Sequence, residues 1–189
     1  MDFEFEHNPQ RIRTLVDETW ALSFTLSGLS KAAGMPQMKL AWIVVSGPEK
    51  ERVQARERLE LLLDTYLSVN TPVQMALPKL LETGAKIRDD LQARCMQNLK
   101  LVLNLLANSP LHALHVEGGW SVIVQLPSML KEEEWLYRLL QEKNVLLQPG
   151  YFFDMPPGAY AIASLITEPR AFREGVEKLC AFAGQITRC

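Results

Sequence analysis

Residues 20–46, WALSFTLSGLSKAAGMPQMKLAWIVVS, constrain the fold more than any other stretch. Trp20, Leu22, Phe24 and Leu26 alternate with Ala21, Ser23, Thr25 and Ser27, the two-residue period of a half-buried strand. Gly28, Ser30 and Lys31 come next, then a short loop with Gly34, Pro36 and a second cation, Lys39. The apolar run 40–45 reads as another strand. A lysine in such a place is ordinarily an exposed loop residue. An amine held at the end of a buried strand beside a second cation is a different object, because burial and like charge both oppose the ammonium form. A neutral amine of this kind attacks carbonyls and forms Schiff bases.

The order of residues narrows the choice. Ser27-Gly28-Leu29-Ser30-Lys31, then Gly34 and Lys39-Leu40-Ala41-Trp42, resembles the lysine segment of the class I/II aminotransferases, the aspartate aminotransferase-like family. The resemblance implies that Lys31 is the catalytic residue. It would carry pyridoxal 5'-phosphate as a Schiff base and move a proton between substrate carbon and cofactor. Ser30 matches the small residue that precedes the family's lysine. Lys39 stands where the family usually has a phosphate-binding arginine, and it neutralises charge without arginine's bidentate fork. Gly28 stands where many members have a phosphate-binding serine, with Ser27 one place earlier as its substitute. Lys31, Ser27, Ser30 and Lys39 are therefore the expected cofactor-binding set.

Two further segments carry the likeness. Residues 2–6 resemble the acidic, aromatic tail that follows the family's Asp-x-x-Tyr segment. Pro149-Gly150-Tyr151-Phe152, followed by Tyr160-Ala161-Ile162-Ala163-Ser164-Leu165, resembles its final sheet region. An arginine there grips the substrate's α-carboxylate through two parallel hydrogen bonds. The matching position holds Ile162, which cannot do so, and Arg170 and Arg173 read as solvent-facing helix residues.

The likeness runs to about residue 178 and covers only the back part of the family pattern. It implies an α/β (α+β) fold: in 1–85 the last strands of the large cofactor domain, with the lysine segment and following helices, and in 86–189 the small C-terminal α/β domain. The family's glycine-rich phosphate loop, ring-stacking aromatic, asparagine and pyridine-nitrogen carboxylate would precede Met1. The implied function is amino-group transfer between an amino acid and a 2-oxo acid in an intact, homodimeric enzyme, with little turnover by this chain alone. The alternatives are a non-catalytic association domain, or another pyridoxal-phosphate reaction (lyase or decarboxylase) on the same scaffold. Loss of half a cofactor domain also predicts bared apolar patches, and hence dimerisation or domain exchange.

Composition excludes some partners. With 20 basic and 22 acidic side chains and a formal charge of -2, nothing favours nucleic acid or an anionic membrane. Cys95, Cys180 and Cys189 have no metal-site spacing and form no even framework, which fits a reducing compartment. The opening MDFEFEHNPQ lacks a signal peptide's basic start, and no apolar run spans a bilayer, so a cytoplasmic protein is expected. His112 and His115, three apart on a strand, face opposite sides, so no metal site is expected.

The remaining elements follow from periodicity. A helix runs from Pro48 to about Tyr66 with Val53, Leu59, Leu62, Leu63 and Tyr66 inward. Ser68, Asn70 and Gln74 either cap helices at the next break or line a site, with Gln74 opening the following helix. Gly84 divides that helix from a long one over 88–107, striped by Leu91, Cys95, Leu99, Val102, Leu103 and Leu106. Strands at 111–117 and 120–126 join at Gly118-Gly119, a helix starts at Glu132, and 145–147 is a buried strand. A strand at 160–165 precedes a last helix capped by Thr167, with Ala171, Phe172, Val176, Leu179 and Cys180 inside.

Overall fold

A computed structural model describes residues 4–6, 8–12 and 14–188; Asp2, Phe3 and Cys189 lie outside the described residues. The chain forms two compact units that divide between Asp90 and Leu91, with Glu4, Phe5 and Glu6 joined to the second.

In the first unit, strand β1 (Ser23–Gly28) pairs antiparallel with β2 (Ala41–Ser46) in a two-stranded sheet. Helix α1 (Leu29–Ala32) and a 3-10 turn (Pro36–Met38) lie between them. Helix α2 is Glu49–Asp64. The expected alternation is present, but β1 starts at Ser23 and its apolar side is the open one. Phe24 and Leu26 are exposed, as are Trp20 and Leu22 before the strand. The register explains why. Leu26 lies opposite Ile43 and Phe24 opposite Val45, so one face is apolar, while Ser23, Ser27, Trp42 and Ser46 share the other. The preceding segment covers that second face: Ser46 Oγ donates to the Val16 carbonyl, and Ser23 Oγ to that of Leu15 at 3.3 Å. Helix α2 also departs from expectation. Val53, Leu62, Leu63 and Tyr66 are exposed, and Ala55 is its buried residue.

Helix α3 runs unbroken over Thr71–Leu106, 36 residues with Pro78 and Gly84 inside it. Gly84 therefore does not divide it. The helix opens at Thr71 rather than Gln74: the Asn70 side chain accepts from Val73 N–H at 3.4 Å, and Gln74 Nε2 donates back to the Val69 carbonyl at 2.7 Å. Val73, Leu77 and Leu80 form a stripe on α3 against buried Leu29, Ala33, Met35 and Leu40. Of the stripe expected further on, Leu103 is exposed, whereas Cys95, Val102 and Leu106 are buried.

The second unit is built on a four-stranded antiparallel sheet, β3 (His112–Ala113), β4 (Ser121–Gln125), β5 (Gln148–Pro149) and β6 (Tyr160–Ser164), in the order β3-β4-β6-β5. Helices α4 (Glu132–Lys143) and α5 (Pro169–Ile186) pack on it. Trp135 on α4 is buried edge-on against Phe182 of α5, ring centroids 5.6 Å apart, and donates to the Pro127 carbonyl at 2.8 Å. From α3, the buried Asn98 donates to the carbonyls of Leu165 and Thr167 at 2.9 and 2.8 Å, fixing the exit of β6.

Several expectations are corrected here. No tight turn joins β3 to β4 at the two glycines; Gly118 instead bridges to Glu4, and Phe5 N–H donates to the Glu117 carbonyl at 2.9 Å. Residues 145–147 form no strand. Asn144 closes α4 in the left-handed conformation (φ 55°), Leu146 is exposed, and pairing begins only where Gln148 meets Ile162. The cap of α5 is Glu168, not Thr167: its carboxylate accepts from Arg170 and Ala171 N–H at 3.0 and 2.9 Å. Those bonds hold its carboxyl below the usual range. Ala171 is exposed, and Phe182 and Ala183 complete the buried face.

Candidate active site

The lysine segment is a closed loop. Gly28 pairs with Ala41 at the sheet's end, and Leu29 N–H donates to the Leu40 carbonyl at 2.9 Å. That bond brings the start of α1 and the residue after Lys39 to one neck, so Ser27, Ser30, Lys31 and Lys39 all belong to the same end of the sheet. The Leu29 carbonyl accepts from Ala33 N–H at 3.1 Å and from Met35 N–H at 3.0 Å, tightening the turn that holds Lys31. Leu29 and Ala33, four apart, share the buried face of this turn.

That geometry corrects the expectation of a desolvated amine. Lys31 sits about 200° around the helix from Leu29, and it is exposed. Lys39 is exposed too, in the left-handed region at φ 53°, closing the 3-10 turn by its N–H to the Pro36 carbonyl at 3.4 Å. A residue with a Cβ adopts that region at a cost of roughly 1–2 kcal/mol. Backbone strain of this kind clusters at ligand sites. Ser27 and Ser30 are half-buried, Ser27 opposite Trp42.

Glycines define the rest of the segment. Gly28 has extended backbone, φ -176°, which any residue adopts, so conformational freedom is not its role. Space is: a Cβ there would lie 2.9 Å from the Leu40 oxygen and 3.1 Å from the Ala41 Cα and Cβ. A serine at this position would collide with the neck. Gly84 is a residue that periodicity misreads. A Cβ on it would lie 2.2 Å from the Ala33 Cβ and 2.8 Å from the Ala33 Cα. The signal is its place in the stripe Val73, Leu77, Leu80, Gly84, where the last position is the one without a side chain.

Ile162 belongs to the other unit, buried in mid-β6 with Ile123 on one side and Gln148 on the other. Arg170 and Arg173 are exposed on α5, Arg173 near Glu177 at 3.8 Å. His115 pairs with Glu6 at 3.4 Å, and among the described residues no group of three His, Cys, Asp or Glu is placed to hold a metal. No helix among them is long and apolar enough to cross a membrane.

The family model for aminotransferase class I and II matches residues 1–164. The chain belongs to the class I and II aminotransferases. Members of this family use pyridoxal phosphate as a rule. Solved structures agree on the fold. An aromatic aminotransferase from Pyrococcus horikoshii superposes with a TM-score of 0.73 at 19% identity, over 88% of this chain and 44% of that one. Escherichia coli YbdL, described as having a methionine aminotransferase function, gives 0.67 at 25% identity, over 84% and 41%. Pyrococcus protein-A1 gives 0.77 at 18%, over 99% and 48%. The chain thus spans less than half the length of these aminotransferase-fold structures. Comparison with curated proteins returns no match. The donor set of the closed loop fits the family's cofactor in kind: an amine on a short turn, with two hydroxyls and a strained cation at the same end of the sheet.

Proposed function

We propose that this chain is the lysine-bearing remnant of the large domain (1–85) and the small domain (86–189) of a pyridoxal-phosphate aminotransferase. In the whole protein it would move an amino group between an amino acid and a 2-oxo acid. The observation that carries the reading is Lys31 on a hydrogen-bonded turn at the end of β1, with left-handed Lys39 on the far side of the same neck. When bound, pyridoxal phosphate supplies an aldehyde that condenses with amines and a ring that accepts electrons released at the substrate's α-carbon. Lys31 offers the Nζ lone pair that anchors the group. The same Nζ would take the substrate's α-proton and return it, as general base and then acid. Lys39 neutralises phosphate charge, with Ser27 or Ser30 donating a hydroxyl hydrogen bond.

With Ile162 at the arginine position, the substrate's carboxylate is held by a cation from elsewhere, or the substrate is not a simple α-amino acid. Homodimerisation and a cytoplasmic location complete the reading. They are supported by the family's habit and by cysteine usage respectively.

The test compares equilibrium binding of pyridoxal phosphate with that of pyridoxal, which lacks the phosphate. The phosphate form should bind more tightly, and Lys39→Ala should weaken it roughly tenfold, the worth of one charge-assisted contact. Equal binding of both compounds by the wild type would remove the phosphate site from the proposal.

A further inference from the structure

The turn that carries Lys31 has only four residues, so something other than its own hydrogen bonds must fix it. Two buried anchors flank the lysine, Leu29 two positions before and Ala33 two positions after. Leu29 packs into the cluster that Val73, Leu77 and Leu80 of α3 support. Ala33 has a different kind of contact. The stripe on α3 runs Val73, Leu77, Leu80, Gly84, at helical spacings of four, three and four. Its last member has no side chain, and there the α3 backbone comes up against Ala33.

We infer that Gly84 is a positioning residue for Lys31, an assignment that rests on the reading of Lys31 given above. A methyl group at 84 would lie 2.2 Å from the Ala33 Cβ, 2.8 Å from its Cα and 3.2 Å from its oxygen. Carbon atoms in contact sit about 3.5–4.0 Å apart, so one side must move by more than an ångström. Helix α3 has 36 residues and α1 has four, so the short turn yields. Lys31 rides on that turn, two residues from the point of collision. A shift of about 1 Å at a reacting group costs as much as 100-fold in rate. Gly84 thus holds the amine in register with Ser30 and with the neck that leads to Lys39, acting through Ala33.

The experiment uses the full chain, pyridoxal phosphate below saturation, borohydride reduction and peptide mapping. Nζ adds to the aldehyde carbon, water leaves, and hydride from borohydride with a proton from solvent fixes the link as a secondary amine. The readout is the rate of labelling at Lys31 relative to the other lysines, and its pH profile, beside the thermal midpoint. In G84A, labelling at Lys31 should fall about tenfold or more relative to the other lysines, with its pH profile displaced, while the chain still unfolds cooperatively. The double variant A33G/G84A removes the 2.2 Å contact and should regain part of the selectivity. If G84A does not fold, A33G decides: it empties the contact, loosens the turn and should lower Lys31 selectivity several-fold. Wild-type selectivity and pH profile in G84A, or in A33G where G84A does not fold, would overturn the positioning role and leave the Lys31 reading standing. Absence of selective labelling in the wild type would overturn both.

Discussion

Lys31 and Gly28 show what a single residue reveals. Lys31 stands out through its neighbours in order, Ser30 before it and Lys39 after it, and the structure gathers these at one end of the β1–β2 sheet. Its exposure is not legible in the sequence, because that depends on which side of a four-residue turn faces α3. Gly28 is legible as glycine but not as to cause. Its backbone is extended, and the reason for it is the Leu40 oxygen that a Cβ would meet at 2.9 Å. Gly28→Ser should therefore lower unfolding stability by about 1–3 kcal/mol, the usual cost of overpacking, measured by denaturant titration. It should not improve phosphate binding, although it restores the family's residue type. A stable variant that binds pyridoxal phosphate more tightly would contradict this account of the neck.

At the scale of elements, periodicity locates the helices better than the strands. Helix α5 is legible because Phe172, Val176 and Leu179 recur at helical spacing, and all are buried. Its cap is not, because Thr167 is the residue type that ordinarily caps, and only the geometry shows that the Glu168 carboxylate reaches Arg170 and Ala171 N–H. Strand β5 is misplaced by pattern because three apolar residues, 145–147, look more strand-like than Gln148-Pro149, yet the ladder forms with Ile162 only at the latter. The continuity of α3 through Gly84 is hidden as well, since a glycine kept for close approach reads as a helix breaker. The cap of α5 gives a pH prediction. Glu168 is held below its ordinary carboxyl value by the two backbone N–H bonds, so its ionised form stabilises the folded chain. That contribution is fully present above the ordinary carboxyl value of the unfolded chain and is lost as pH falls through the lower folded value. Glu168→Gln should lower the thermal midpoint at neutral pH, and the gap from wild type should close on acidification. A gap that stays constant down to acid pH would show that the charge has no part in the cap.

Across the whole molecule both units bare apolar side chains, Leu146, Phe152 and Phe153 among them in the second, and in the first they form one face of the β1–β2 sheet. Leu26 is 71% and Ile43 40% exposed as a cross-strand pair, and Trp20 is 81% exposed just before the strand. An isolated two-stranded sheet is marginal in water, so this face calls for cover. The alternation is legible in the sequence; which side lies open is not, because cover comes from outside the strand. Leu26→Lys with Ile43→Lys should reduce binding of an apolar dye and raise the concentration at which the chain associates, followed by light scattering. Unchanged dye binding would place the bared surface elsewhere, on α2 for instance, where Leu61, Leu62 and Leu63 are exposed. The central claim is that one amine in this chain is set apart to hold an aldehyde cofactor. Reduction with borohydride in the presence of pyridoxal phosphate, followed by mass mapping of every lysine-containing peptide, addresses it directly. The account predicts one dominant adduct, at Lys31, lost in Lys31→Ala; adducts spread evenly over the exposed lysines would contradict it.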